Sequence, residues 1–583
     1  MTTTPVPGMG AIPITNGFAF RVWAPNADAV SVVGDFNDWD ASAHPLISDD
    51  AGNWYTEVPG AHHGQEYKYV ITNGEREFYR IDPRANRVTN SVGNGVLYDH
   101  ARFDWGEHDF CTPALHELVI YETHIGSFVD DGDDGPADLA DLTGKLSYLR
   151  NLGVNAIELM PLMEFAGDYS WGYNPAHIFA VESSYGGPDA LKNFIKHAHQ
   201  AGIAVIIDVV YNHFGPSDLS LWQFDGWSEN DGGGIYFYQD HRASTPWGDT
   251  RPDYGRQEVR DFIVDNARMW LRDYRADGLR LDMTPYMRTI DGFNGPIADG
   301  WRTMARVGTM VREEFPGRIT IAEDLHNDAA VTDPDAGAMH AQWDNQFVHP
   351  IRATLIADSD EQRNPSVVAK AISHAYHHPF DRVIYTESHD EVANGKARIP
   401  TEVSTEDPTG WKAQKLATLG AALVLTTPGV PMLFQGQEFL EDEWFRDTVP
   451  LDWSLAWKFR DLTQMFRDLI ALRRNLDGNS PALSGPHTRI LHADDTTGLL
   501  AFCRATVDDD HAVIIAANFT AQPQRARVEL PSGGMWRVRF NSDARRYSQL
   551  FGDHPTADLD ASDGSAIVDV APYSAVIYLR ETP

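Results

Sequence analysis

Cysteine is nearly absent from this chain: two residues in 583, Cys111 and Cys503, far apart in sequence. Such a pair gives no disulfide framework, so a reducing, cytoplasmic setting is expected. No segment approaches the ~18 consecutive apolar residues that a membrane helix needs, which argues against a membrane-spanning role. The opening MTTTPVPGMGAIPITNG has no basic n-region and no apolar h-region, so no signal peptide is expected. Basic residues are also scarce, 47 Lys and Arg against 84 Asp and Glu, for a formal net charge of −37. That field repels phosphate, which argues against nucleic acid or an anionic membrane as partner and fits a neutral substrate. Internal repeats and low-complexity tracts are missing too.

What is present is a chain that can bury a large core, 42% hydrophobic and 11% aromatic. Its length implies several domains. The first ~100 residues alternate apolar and polar positions in FAFRVWAP, AVSVVGDF, NWYTEV and EYKYVITNG, with Gly, Asn and Pro between them, the pattern of a small β-sandwich. From LVIYETHIGSF (118–128) onward, short apolar strands alternate with helical patterns. The strand candidates are LVIYETHI, AIELMP, AVIIDVVYNH, GLRLDM, ITIAED, AQWDNQF, RVIYTESHDE and VPMLFQGQE. Eight such strands predict a closed (β/α)8 barrel. An open doubly wound sheet is the alternative, but no Gly-rich phosphate turn follows the early strands, and no nucleotide cofactor is expected. A long Gly-, Asp- and aromatic-rich insertion follows the third strand and reads as a lid or substrate-binding excursion. After ~475 the β pattern returns. The expected organisation is an α/β chain: an N-terminal β-sandwich over 1–110, a catalytic TIM barrel over 111–475 and a C-terminal all-β domain over 476–583.

Nearly every barrel strand ends in ionisable residues, at the end where barrel enzymes keep their chemistry. GLRLDM puts Asp282 at a strand tip with Arg280 two residues earlier on the same face. ITIAED brings Glu323 and Asp324, YTESHDE brings His389 and Asp390, and DVVYNH brings Asp208, Asn212 and His213. Retaining glycoside cleavage needs one carboxylate as nucleophile and one carboxylic acid to protonate the leaving oxygen, ~5–5.5 Å apart. Crowded acids raise at least one pKa, and an arginine beside the nucleophile keeps that group ionised. The Arg280–Asp282 pair fits this division.

Taken together, DVVYNH, GLRLDM, IAED and ESHDE resemble, in order, the four signature segments of the α-amylase clan of glycoside hydrolases and transglycosidases. The resemblance implies Asp282 as nucleophile, Glu323 as general acid/base and Asp390 as the group that holds sugar hydroxyls and stabilises the transition state. It implies further that His213 and His389 hydrogen-bond the sugar, that Arg280 orients Asp282, and that Asp208 supports Arg280. Tyr173 of WGYNP corresponds to the aromatic platform under that sugar, with Trp171 a further substrate-binding candidate; the other reading of both rings is packing under a loop. Asn212 is a calcium ligand in some clan members, but no convincing oxygen partners stand near it in the sequence, so no metal is expected. The N-terminal VWAPNADAVSVVGDFNDWD resembles the starch-binding module of branching and debranching members, in which Trp39, Trp54 and Lys68 match sugar-contacting positions. The other reading of the two tryptophans is packing at a domain interface.

Within the clan, the N-terminal module, YETHIGSF, DYGRQEVRDF and SHDEV with Glu391 after Asp390 resemble the 1,4-α-glucan branching enzymes. The Lys-His pair that ordinary α-amylases carry after the nucleophile is missing, since Met283, Thr284, Pro285 and Tyr286 follow Asp282. DVVYNHFGP, HRASTPWGD and AQWDNQF are closer to the trehalose-releasing maltooligosyl hydrolases. The expected substrate is an α-glucan or maltooligosaccharide. The readings carried forward are a branching enzyme, an α-1,4-glucan hydrolase, a trehalohydrolase and, from a different class, an inactive glucan-binding scaffold.

Overall fold

The structure is a computed structural model that describes residues 8–107, 109–130, 132, 135–506 and 511–581. The start of the chain, read above for a signal peptide, lies partly outside the described residues. Eight strands form a closed parallel barrel: β1 (Ile120–Thr123), β2 (Ala156–Leu159), β3 (Ala204–Val209), β4 (Gly278–Leu281), β5 (Ile319–Ala322), β6 (Ala341–Trp343), β7 (Arg382–Ile384) and β8 (Val430–Phe434). All their residues are buried, as parallel strands covered by helices must be. The covering helices place apolar residues every third or fourth position. In Gln257–Arg272 these are Val259, Phe262, Ile263, Met269 and Trp270.

Several strands are shorter than their apolar runs predict. β6 stops at Trp343 because Asp344 caps the helix Asn345–Ile356, its carboxylate accepting from the Gln346 N–H. The β7 ladder to β8 ends at the Ile384–Pro431 pair, where proline has no N–H to extend it. Asp390 therefore stands on an irregular segment beyond the strand, not on its last residue.

The N-terminal sandwich packs a four-stranded sheet (Gly10–Ile14, Gly17–Trp23, Asn53–Pro59, Ile47–Ser48) on one built from Ala29–Gly34, Glu66–Asn73, Arg76–Arg80 and Gly95–Val96. A six-stranded sheet and a two-stranded sheet form the C-terminal all-β domain. It docks on the barrel through a buried Lys415–Asp543 ion pair at 2.7 Å. The insertion after β3 is packed, not free: Phe214, Phe224, Tyr236 and Phe237 are buried in the main core, and Tyr236 meets Trp23 of the sandwich edge-on.

Candidate active site

Arg280, on β4, is fully buried and organises the barrel mouth. Its guanidinium lies 2.6 Å from Asp208 and 3.2 Å from Asp282 through Nη1, and 2.7 Å from Glu323 through Nη2. The register pairs Asp208 of β3 with Arg280, so the contact follows from adjacent strands in a parallel sheet. The Tyr173 hydroxyl donates to Asp208 at 2.7 Å, and the Arg280 guanidinium stacks 4.4 Å from the Trp343 ring centre. Asn212 donates to Asp282 through its amide, at 2.7 Å to the carboxylate and 2.9 Å to the carbonyl. That leaves the Asn212 amide oxygen facing His213 Nδ1 at 2.6 Å. Burial lowers the His213 pKa to about 4, so the ring is neutral near pH 7. Its Nε2 is buried, and a backbone hydrogen bond at Tyr173 opposes the effect of burial on the ring.

Across the mouth, His389 stacks on Tyr173 with ring centres 5.1 Å apart and meets Trp171 edge-on at 5.7 Å. Its Nδ1 lies 2.5 Å from Glu122 and its Nε2 lies 3.4 Å from Asp390. Burial works against a charged ring here, but Asp390 and Glu122 outweigh it and push the His389 pKa up to about 10. Burial raises the Asp208 carboxyl to about 7 against the pull of Arg280. Glu323 is raised well above the usual carboxylate range, first by burial and then by Asp282 and Asp390, with Arg280 opposing. One arginine cannot neutralise the acids around it, so the site retains protons, and Glu323 is a carboxyl able to deliver one.

The sequence-selected Asp282, Glu323, Asp390, Asp208, His213, Arg280, His389, Tyr173 and Trp171 thus lie around one mouth. A cavity of about 290 Å³ opens beside it, lined by Met283, Glu323, Trp343, Asp390, Glu391 and Lys396 among others. Three outer residues have separate partners. Trp54 packs against the main core and donates its indole N–H to the Ala24 carbonyl at 3.0 Å. The Trp39 indole N–H reaches Asp35 at 3.2 Å, and Lys68 is half-buried with its pKa lowered by that burial.

Sequence reasoning missed Glu122 and Glu158, and it placed Asp324 at a strand tip without giving it a role. Glu122 and Glu158 are register partners on β1 and β2 and lie beneath the site. The Glu158 carboxyl is raised well above its usual range by burial and by Glu122. Asp324 binds Arg288 through both oxygens, at 2.6 and 3.0 Å, and accepts from the Thr284 hydroxyl at 2.8 Å, pinning the turn after Asp282. The signal for Glu122 and Glu158 was a charged residue inside an otherwise apolar strand. Among the described residues no group of His, Cys, Asp and Glu side chains is placed to hold a metal, and no helix is long and apolar enough to cross a membrane.

Three family models match separate segments of the chain, and curated relatives cover nine-tenths of it. Residues 8–85 match carbohydrate-binding module 48 (isoamylase N-terminal domain), 122–223 the alpha amylase catalytic domain, and 490–581 the alpha amylase C-terminal all-beta domain. A putative alpha amylase structure from Salmonella typhimurium superposes with a TM-score of 0.76 at 22% identity, covering 98% of this chain and 99% of that one. A pullulanase from Anoxybacillus sp. LM18-11, complexed with maltotetraose, superposes at 0.80 and 22% identity, covering 98% and 87%. These two likenesses carry the fold. The 1,4-alpha-glucan branching enzyme GlgB of Marinobacter nauticus is 30% identical over 91% of this chain and 88% of its own. That of Xanthomonas campestris is 32% identical over 91% and 76%. With its carboxylates gathered around one arginine at the mouth of this barrel, the chain belongs to the 1,4-alpha-glucan branching enzyme family.

Proposed function

We propose that this protein is a 1,4-α-glucan branching enzyme that works by double displacement. Asp282 attacks the anomeric carbon of an α-1,4-linked glucose while Glu323 gives its proton to the departing 4-oxygen, leaving a β-linked glucosyl-enzyme. Glu323, now a carboxylate, takes the proton from a 6-hydroxyl of an incoming glucan chain. That oxygen attacks the same carbon, Asp282 departs, and an α-1,6 branch is formed. Tyr173 and His389 form the floor under the reacting sugar. Asp390, together with the uncharged His213 ring, binds its hydroxyls.

The observation that carries this reading is the single Arg280 guanidinium in contact with both Asp282 and Glu323, in a chain similar to branching enzymes over nine-tenths of its length. The guanidinium sits between the two carboxylates, while burial among acids raises the Glu323 pKa and favours its protonated form. We place the enzyme in the cytoplasm, in keeping with two free cysteines, one of them exposed.

The test is incubation with amylose, following reducing ends and the α-1,6 anomeric proton in the same samples. New α-1,6 signal with few new reducing ends is expected. Reducing ends without α-1,6 linkages would make the protein an α-1,4-glucan hydrolase and overturn the proposal. Asp282→Ala is expected to retain less than about a thousandth of wild-type activity, since loss of a nucleophile removes the covalent route.

A further inference from the structure

His389 is boxed in by three rings. Tyr173 stacks on it, Trp171 meets it edge-on, and the Trp343 ring centre stands 5.9 Å away at 54°. Aromatic walls fix where an imidazole lies, but a ring flipped end for end fills the same slot, so they do not decide which nitrogen faces the mouth. The local backbone does not decide it either, because the β7 ladder has ended at Ile384 and residues 385–390 carry no regular strand. That choice falls to Glu122.

Glu122 comes from β1, where it is paired in register with Glu158 of β2 on one side and Phe434 of β8 on the other. Its own carbonyl accepts from the Gln435 N–H at 3.0 Å, so the barrel holds it in place independently of the segment after β7. One carboxylate oxygen accepts the His389 backbone N–H at 3.2 Å, and the other faces Nδ1 at 2.5 Å. Both residues are 2% exposed, so water cannot stand in for either partner. With Nδ1 turned to Glu122, Nε2 is left facing Asp390 at 3.4 Å.

This orientation has a chemical consequence. A neutral imidazole has one N–H, and a charged one has two. In a neutral ring, Glu122 would claim the single proton at Nδ1, and Nε2 would turn a lone pair on the Asp390 carboxylate. Glu122 and Asp390 are the anions that favour the doubly protonated ring, and Arg280 is the cation that opposes them. Nε2 then carries a hydrogen at the mouth of the barrel. We propose that Glu122 is a positioning residue of the reaction: it turns His389 and keeps Nε2 a donor, so that this N–H reaches the hydroxyl of the reacting sugar that Asp390 also binds. Hydrogen bonds to the hydroxyl beside the anomeric carbon strengthen as oxocarbenium character develops, so a lost donor is felt in the transition state more than in the ground state. Glu122 itself does not meet the sugar. This role rests on the retaining mechanism proposed above, but not on the choice of α-1,6 linkage.

The full-length chain is given α-maltohexaosyl fluoride, whose fluoride leaves with little help from Glu323, and donor consumption is followed. Glu122→Gln keeps the size of the side chain and an acceptor for Nδ1 but removes the charge. It is expected to lower kcat roughly ten- to hundredfold, the worth of a hydrogen bond from a charged group, with KM changed less than about twofold. Glu122→Asp, which keeps the charge, should recover part of the loss. The same Glu122→Gln change is then made in a His389→Gln chain, where it should cost less than about twofold because its effect passes through the ring. A purely structural loss, or a smaller folded fraction, would lower kcat equally in both backgrounds and overturn the role. So would an unchanged kcat in Glu122→Gln, or a wild-type chain that leaves the donor intact. Failure of the branching reading shows separately, as absence of α-1,6 signal from amylose while the donor is consumed and the dependence on His389 remains.

Discussion

His389 shows how one side chain takes its charge from residues distant in sequence. Its charged form depends on Glu122, 267 positions earlier in the chain, and on Asp390 beside it. The folded pKa of about 10 lies above the ordinary value of 6.5, so the ring contributes stability that is complete below 6.5 and is lost as pH rises through 10. Glu122→Gln removes one of the two anions, so the folded pKa falls and the NMR titration of the His389 ring protons moves to lower pH. A titration that stays in place would show that Glu122 does not set the charge. Glu158 is shifted in the same direction for a different reason, burial rather than neighbouring anions coming first. It is a buried acid with one oxygen unpartnered among the described residues, and burial holds its proton well above the ordinary 4.5. The stability that proton gives is complete below 4.5 and declines as pH rises above it. Glu158→Gln, neutral at every pH, is expected to fold normally and to lose less Tm than wild type between about pH 5 and 8. Scanning calorimetry at several pH values checks this, and parallel Tm curves for the two proteins would refute it.

At the scale of elements, the barrel was legible because a buried parallel strand must be apolar along its length and must release its polar residues at the mouth. The tips GLRLDM and ITIAED marked Asp282 and Glu323 for that reason. Less legible was where each strand stops. Asp344 reads as part of an apolar-polar run, yet in space it caps a helix and binds Arg382 at 2.9 Å. Partners separated by hundreds of residues, such as Glu122 with His389, leave no local pattern at all. The segment after β7 is the clearest case. It is irregular backbone carrying the buried Thr386, Glu387, Ser388 and His389, so it needs side-chain anchors. Glu387 supplies one, accepting from the Ile399 N–H at 2.8 Å and pairing with the buried Arg398 at 3.1 Å. Glu387→Ala leaves that arginine buried without its carboxylate, which costs about 3–5 kcal/mol for such pairs. The expected result is a marked fall in Tm together with a lower kcat, because Asp390 hangs from the same segment. Unchanged values of both would mean that the segment is held elsewhere.

At the scale of the whole molecule, the N-terminal sandwich braces the active site as well as resembling a carbohydrate-binding module. Its hairpin over 66–80 reaches the insertion after β3: Arg80 donates to the carbonyls of Phe224 and Gln223 at 3.0 and 2.7 Å, and Arg76 donates to that of Gly226. Asn26 gives both its backbone and amide N–H groups to one oxygen of the buried Asp225, at 2.9 and 2.8 Å, while the other oxygen accepts from the Trp227 N–H. The insertion that is gripped here carries Trp247, whose ring lies on His213. A module bound to glucan and a module that only positions this insertion would both sustain activity, and Asp225 separates the two roles because it lies inside the contact and is fully buried. Asp225→Ala leaves three donors without that acceptor, two of them on the exposed Asn26, where water replaces it in part. Cleavage by a protease within 214–250 should become faster and Tm should fall, while glucan binding by the sandwich itself stays as in the wild type. Unchanged cleavage and Tm would show that the sandwich does not hold the insertion in place.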